Sequence, residues 1–137
     1  MSRPNLIKLL PLEENERRLS PRYLVPEEEP LIAGVALLGA GERRRSLTGR
    51  VRDISESGLS LLLPTGEECE ELSERGRSLA VALTLPSGAI RLRAEVAHCD
   101  ARRGRGGVLA GYLVGVRIRE ITADDHDRLA EYIKERS

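Results

Sequence analysis

Two short segments hold the residues best suited to recognising a ligand: Arg18-Leu19-Ser20-Pro21-Arg22, and Asp53-Ile54-Ser55-Glu56-Ser57-Gly58 farther along. A guanidinium can fork onto phosphate oxygens, fork onto guanine O6 and N7, or stack on a base. A carboxylate such as Asp53 accepts from the adjacent N1–H and N2–H donors of guanine, and a serine hydroxyl can donate to phosphate or bond a base edge. Gly58 offers a backbone free to take φ > 0 and to let a ligand come close. Together these groups suit a compact ligand that carries both phosphates and guanines. Each half also has a plain reading. Arginine pairs at this spacing are common in an arginine-rich chain, and Asp, Ser and Gly are ordinary hairpin-turn residues.

The elements around these segments decide between the readings. Pro21 disfavours the α region for Ser20, and Pro26 does the same for Val25, so residues 16–30 are expected to be an extended linker. Leu31 to Leu38 reads as a first strand. Thr48 to Ile54 runs into the Asp53–Gly58 turn and Leu59 to Leu63 leaves it, making a hairpin. With Val51 and Ile54 turned to the core, Asp53 and Ser55 are expected together on the outer face, since strand side chains alternate. Leu79, Val81, Leu83 and Leu85 share one face of the next strand. Ile90, Leu92, Ala94, Val96 and His98 share the inner face of another, opposite Arg91, Arg93 and Glu95. Residues 102–107 read as a polar, glycine-rich loop. Tyr112, Val114, Val116 and Ile118 then form the inner face of a last strand.

The chain closes with a helix over residues 122–135, capped by Thr122 and carrying Asp124 and Asp125 in its first turn, with Leu129, Tyr132 and Ile133 as its apolar stripe. The fold class is therefore mainly β: a six-stranded antiparallel barrel with a C-terminal helix. Residues 1–15 form a leucine-bearing tail, either laid on the domain or used to dock a partner, and residues 16–137 form the domain.

Composition narrows the function. Aromatic residues are three Tyr with no Phe or Trp, so the core must be aliphatic and no platform stacks successive bases. The formal net charge of +0 gives no overall field toward nucleic acid polymers or anionic lipid. Cys69 and Cys99 have no disulfide-framework spacing. Leu31 to Gly41 is the longest apolar run and is too short to span a bilayer, and no signal peptide is visible, so a cytoplasmic protein without membrane insertion is expected. His98, Cys99 and His126 lack metal-ligand spacing, and neither histidine sits near a nucleophile signature. No catalytic residue and no metal site is expected, and an enzyme is the least favoured class.

The order Arg-x-x-x-Arg, strand, Asp-x-Ser-x-x-Gly, followed by the later strands, the Gly115-Val116-Arg117-Ile118 segment and a closing helix, resembles the PilZ domain family over about residues 16–135. The resemblance implies a six-stranded barrel and a non-enzymatic receptor for cyclic di-GMP, with no other cofactor. It places Arg18 and Arg22 on phosphates and guanine edges, Asp53 and Ser55 on a guanine, and Gly58 where the ligand comes close. It also implies a protein partner in motility or exopolysaccharide control. This chain departs from the family in having Ile118 where Phe is frequent, and in its additional N-terminal tail. Two rivals stay open: a PilZ-like interaction adaptor that binds no nucleotide, and an OB-like nucleic-acid binder using Arg43-Arg44-Arg45 and Arg102-Arg103-Gly104-Arg105. Aromatic scarcity and neutral charge weigh against the latter.

Overall fold

A computed structural model describes residues 6–8, 22–38, 46–66, 69 and 74–136. Arg18, the Arg43–Arg45 run and most of the Glu67–Glu74 connection lie outside the described residues. The strands are β1 (Leu6–Lys8), β2 (Tyr23–Leu24), β3 (Ile32–Leu37), β4 (Leu47–Ile54), β5 (Gly58–Leu63), β6 (Ser78–Leu85), β7 (Gly88–Arg103) and β8 (Leu109–Thr122), followed by one helix, Ala123–Arg136.

The six longer strands run β8-β5-β4-β3-β6-β7, and β7 pairs back onto β8, all antiparallel. That last pairing closes a six-stranded barrel, so the ring has no open edge. Its interior is aliphatic, as the composition demands: Val35, Leu61, Leu79, Leu83, Ile90 and Val114 are among the fully buried side chains. β-branched residues and leucines at every second position supply both strand preference and packing volume.

Closure requires strands to bend, and bulges provide the bends. β7 and β8 change register between Arg93 and Ala94, between Val96 and His98, and between Arg102 and Arg103. The second of these overturns one sequence-based expectation. The extra residue at Ala97 rotates the alternation, so His98 is exposed rather than on the inner face, while Cys99 packs against the core. The imidazole lies over Gly115, where a Cβ would come 2.1 Å from His98 Cε1. β7 also continues through Arg103, so the expected loop at 102–107 shrinks to a short 3-10 turn at Arg105–Gly107, with Gly106 and Gly107 at φ 73° and 77°.

The helix behaves as read. The Asp125 N–H donates to Thr122 Oγ1 at 3.2 Å, which caps the first turn, and Leu129, Tyr132 and Ile133 are buried. Asp125 also accepts from the Arg91 N–H at 3.0 Å, tying the helix start to β7. Two short strands extend the sheet. β2 pairs with the end of β4. β1 pairs with Glu120, Ile121 and Thr122 of β8, beyond the Gly58–Arg117 pair at which β5 begins. Among the described residues no helix is long and apolar enough to cross a membrane.

Truncating the buried helix anchor, Leu129→Ala, should lower unfolding free energy by about 2–5 kcal/mol. Removing the cap, Thr122→Ala, should cost about 1 kcal/mol. Urea unfolding followed by circular dichroism checks both.

Candidate functional site

The site is built where the linker crosses the end of the first hairpin. Register places Tyr23 opposite Ile54 and Leu24 opposite Asp53, and the Val25 N–H donates to the Arg52 carbonyl at 2.9 Å. The linker is thus zipped onto β4, as its proline-restricted, extended sequence allows. This docking puts Arg22 at the mouth of the Asp53–Gly58 turn.

On β4 the register shifts between Val51 and Asp53. That irregularity breaks strict alternation, so Val51 and Ile54 can both face inward while Asp53 stands opposite Ser60 on the outer face of the hairpin. It is not open to water, however, with only 8% of its surface exposed. Its carboxylate accepts from Ser60 Oγ at 3.2 Å and forms an ion pair with the half-exposed Arg22 guanidinium. Two residues 31 apart in sequence therefore meet as one charged unit.

Ser55 departs from expectation. Instead of standing outside beside Asp53, it is 1% exposed and turned into its own turn. Its hydroxyl oxygen accepts from the N–H groups of Ser57 (3.3 Å) and Gly58 (3.2 Å), and its proton can go to the Gly58 carbonyl or to Ser57 Oγ, each at 3.2 Å. The Ser55 N–H also donates to the Gly58 carbonyl at 2.8 Å. A small hydroxyl that bonds the backbone two and three residues on is a turn-forming device. In this conformation Ser55 shapes the turn and has no surface to offer a ligand.

Gly58 is required for a reason different from the one read in the sequence. It is not among the glycines with positive φ. A Cβ there would stand 2.5 Å from the Val116 carbonyl oxygen of β8. Glycine thus permits a close strand approach, and the Ile118 N–H donating to the Ser57 carbonyl at 2.9 Å holds that approach together. Glu56, between the two serines, faces the helix, with its carboxylate 3.6 Å from His126 Nε2.

A second contact ties the linker to the helix, and sequence reading missed it. The rings of Tyr23 and Tyr132 meet edge to face at 5.8 Å between centroids. The Arg136 guanidinium lies 4.1 Å from the Tyr132 centroid. Burial, then the nearby Tyr23 hydroxyl, pushes the Tyr132 pKa up, with Arg136 opposing. The scarcity of aromatic residues was the one available signal. With three Tyr in the chain, one directly after Arg22 and one on the helix stripe stood out as candidates for a mutual contact.

The arrangement sets one guanidinium and one carboxylate against each other at the end of the hairpin. A partly exposed ion pair contributes only about 0–1 kcal/mol, whereas bidentate charge-assisted bonds to an incoming phosphate or guanine edge are stronger. Among the described residues no group of three or more His, Cys, Asp or Glu could hold a metal ion.

The family model of the PilZ domain matches residues 16–135. Among solved structures, the fold is similar to the PilZ domain of YcgR from Escherichia coli with c-di-GMP, at TM-score 0.68 and 17% identity, covering 88% of this chain and 91% of that one. It is also similar to the K. pneumonia MrkH–c-di-GMP complex, at TM-score 0.68 and 17% identity, over 85% of this chain and 50% of that one. A third similar structure is the inhibitor of motility MotI/DgrA from Bacillus subtilis, at TM-score 0.62 and 20% identity, over 88% and 50%. The chain spans about half the length of the last two. No curated protein matches the sequence.

Gly58→Ala should destabilise the fold by about 1–3 kcal/mol, because the added methyl meets a β8 carbonyl rather than a movable side chain. Ser55→Ala leaves buried N–H groups short of an acceptor and should cost about 1–3 kcal/mol. Thermal unfolding of both variants reads these losses directly.

Proposed function

Because the chain belongs to the PilZ domain family, we propose that it is a non-enzymatic receptor for cyclic di-GMP that signals to a partner protein. The observation that carries this reading is the meeting of Arg22 with Asp53 on the outer face of the hairpin, at the point where the linker docks. The similar structures of YcgR and MrkH with c-di-GMP share the barrel. In this reading Arg22, together with Arg18, takes phosphates and guanine edges, and Asp53 accepts from a guanine. Ser55 and Gly58 act one step back, fixing the turn that aims Asp53. The ligand is the only small molecule required, and no acid–base or nucleophilic step is assigned. The protein would act in the cytoplasm, and its partner would belong to motility or exopolysaccharide control.

Binding would be felt beyond the site because the linker has two neighbours. Drawing Arg22 from Asp53 onto a ligand shifts the residue next to Tyr23, and Tyr23 rests on Tyr132 of the helix. A ligand that favours one linker position then biases the helix and whatever binds it. A second reading, an adaptor that binds no nucleotide, draws support from the same pair, since Arg22 and Asp53 already satisfy each other.

Titration calorimetry with cyclic di-GMP separates the two. The wild type should bind, and Arg22→Ala or Asp53→Ala should each raise Kd by about tenfold or more, equivalent to at least about 1.4 kcal/mol. Absence of heat with the wild type at ligand concentrations that saturate a micromolar site leaves the adaptor reading standing.

A further inference from the structure

Beside the linker, outside the Arg22–Asp53 pair, a groove of about 250 Å³ opens on the barrel surface. Its charged lining is Arg50 and Arg52 from β4 and Arg102 from β7, against one carboxylate, Glu27. None of the three arginines makes a hydrogen bond or ion pair through its side chain with a described residue. Val25 and Leu62 supply apolar lining.

The fold brings these residues together by a specific device. β7 and β8 run on past the barrel, pairing Arg102 with Gly111. Gly111 has φ 151°, and a Cβ there would lie 2.5 Å from the Leu63 carbonyl, so the stem of this hairpin is pressed against the end of β5. The hairpin thus leans across β5 toward β4, and Arg102 joins two arginines that lie far from it in sequence.

The apolar surroundings are equally specific. Three large hydrophobic side chains are exposed among the described residues: Leu24 at 69%, Val108 at 69% and Ile32 at 43%. Leu24 immediately precedes Val25. Ile32 pairs directly with Arg50. Val108 sits at the tip of the hairpin that carries Arg102, its carbonyl accepting from the Gly104 N–H. Scattered exposed hydrophobics need no explanation, but each of these three adjoins, in sequence, register or hairpin, a residue that lines one basic groove.

We infer that this face is a docking surface for an acidic segment of a partner protein that carries aliphatic side chains. Three guanidiniums against one carboxylate select negative charge, and arginine beside apolar contact area is the composition of a protein interface. The exposed aliphatics argue against a nucleic acid as occupant. So does a formal net charge of +0, with no ring placed for base stacking. The surface stands independently of the nucleotide reading. Its regulation rests on that reading, because Leu24, Val25 and Glu27 belong to the linker that starts at Arg22.

The test is a selection of short random peptides displayed on phage against the full chain, with and without cyclic di-GMP. Selected peptides are then titrated as synthetic, fluorescently labelled copies. The expected winners combine Asp or Glu with Leu, Ile or Val and weaken as salt rises. Arg50→Glu with Arg102→Glu, and separately Leu24→Ser, should each weaken them by about tenfold or more. The charge-reversed pair should keep its thermal stability and its cyclic di-GMP affinity. Enrichment of no acidic peptide overturns the inference, as does equal binding by the variants. Tighter binding of a short DNA duplex than of any peptide assigns the groove to nucleic acid instead. Loss of cyclic di-GMP binding in the charge-reversed pair assigns it to the nucleotide. If the wild type binds peptide but no nucleotide, the docking surface stands and the receptor reading falls.

Discussion

The contact on which the rest of the site depends is the close approach of the Asp53–Gly58 turn to β8. Gly58 has no side chain, so the Val116 carbonyl can come within a distance no Cβ would tolerate. The Ser57 carbonyl then accepts from Ile118, and Glu56 faces His126 on the helix. The four residues Ser55 to Gly58 therefore touch the closing strand and the terminal helix, while Asp53 stands two residues before them. Side chains that look like ligand contacts in the sequence serve first to hold the barrel seam.

Much of this architecture was legible because strand alternation is a local property. Leu79 to Leu85, Ile90 to Val96 and Tyr112 to Ile118 announce their inner faces residue by residue, and Thr122, Asp124 and Asp125 announce a helix start. The misreadings occur where a long-range demand interrupts the local rule. Ring closure inserts a bulge at Ala97, so His98 and Cys99 exchange faces. The identity of Gly58 is set by a strand more than fifty residues downstream. Ser55 has the right spacing to stand beside Asp53, but it meets the backbone needs of its own turn first. The Arg22–Asp53 ion pair was not read from the sequence, which assigned both residues to a ligand, and the Tyr23–Tyr132 contact was signalled only by the scarcity of tyrosine, since nothing local links a linker residue to a helix stripe.

The linker itself is held by contacts of modest strength. Its described residues show two residues of strand pairing, one further backbone bond, one partly exposed ion pair, one aromatic edge and the partial burial of Tyr23 and Val25 against the core. Each is worth a small part of the stability of a domain, in contrast to the closed ladder beneath. A segment attached this way can open locally while the barrel beneath stays closed.

The three-residue pairing of Leu6–Lys8 has a consequence for the strand end that it covers. β5 reaches only as far as the Gly58–Arg117 pair, so Glu120, Ile121 and Thr122 would otherwise leave a row of backbone groups without a strand on that side. A row of that kind is a template on which another chain can add a strand, and β1 occupies it just before the chain turns into the helix.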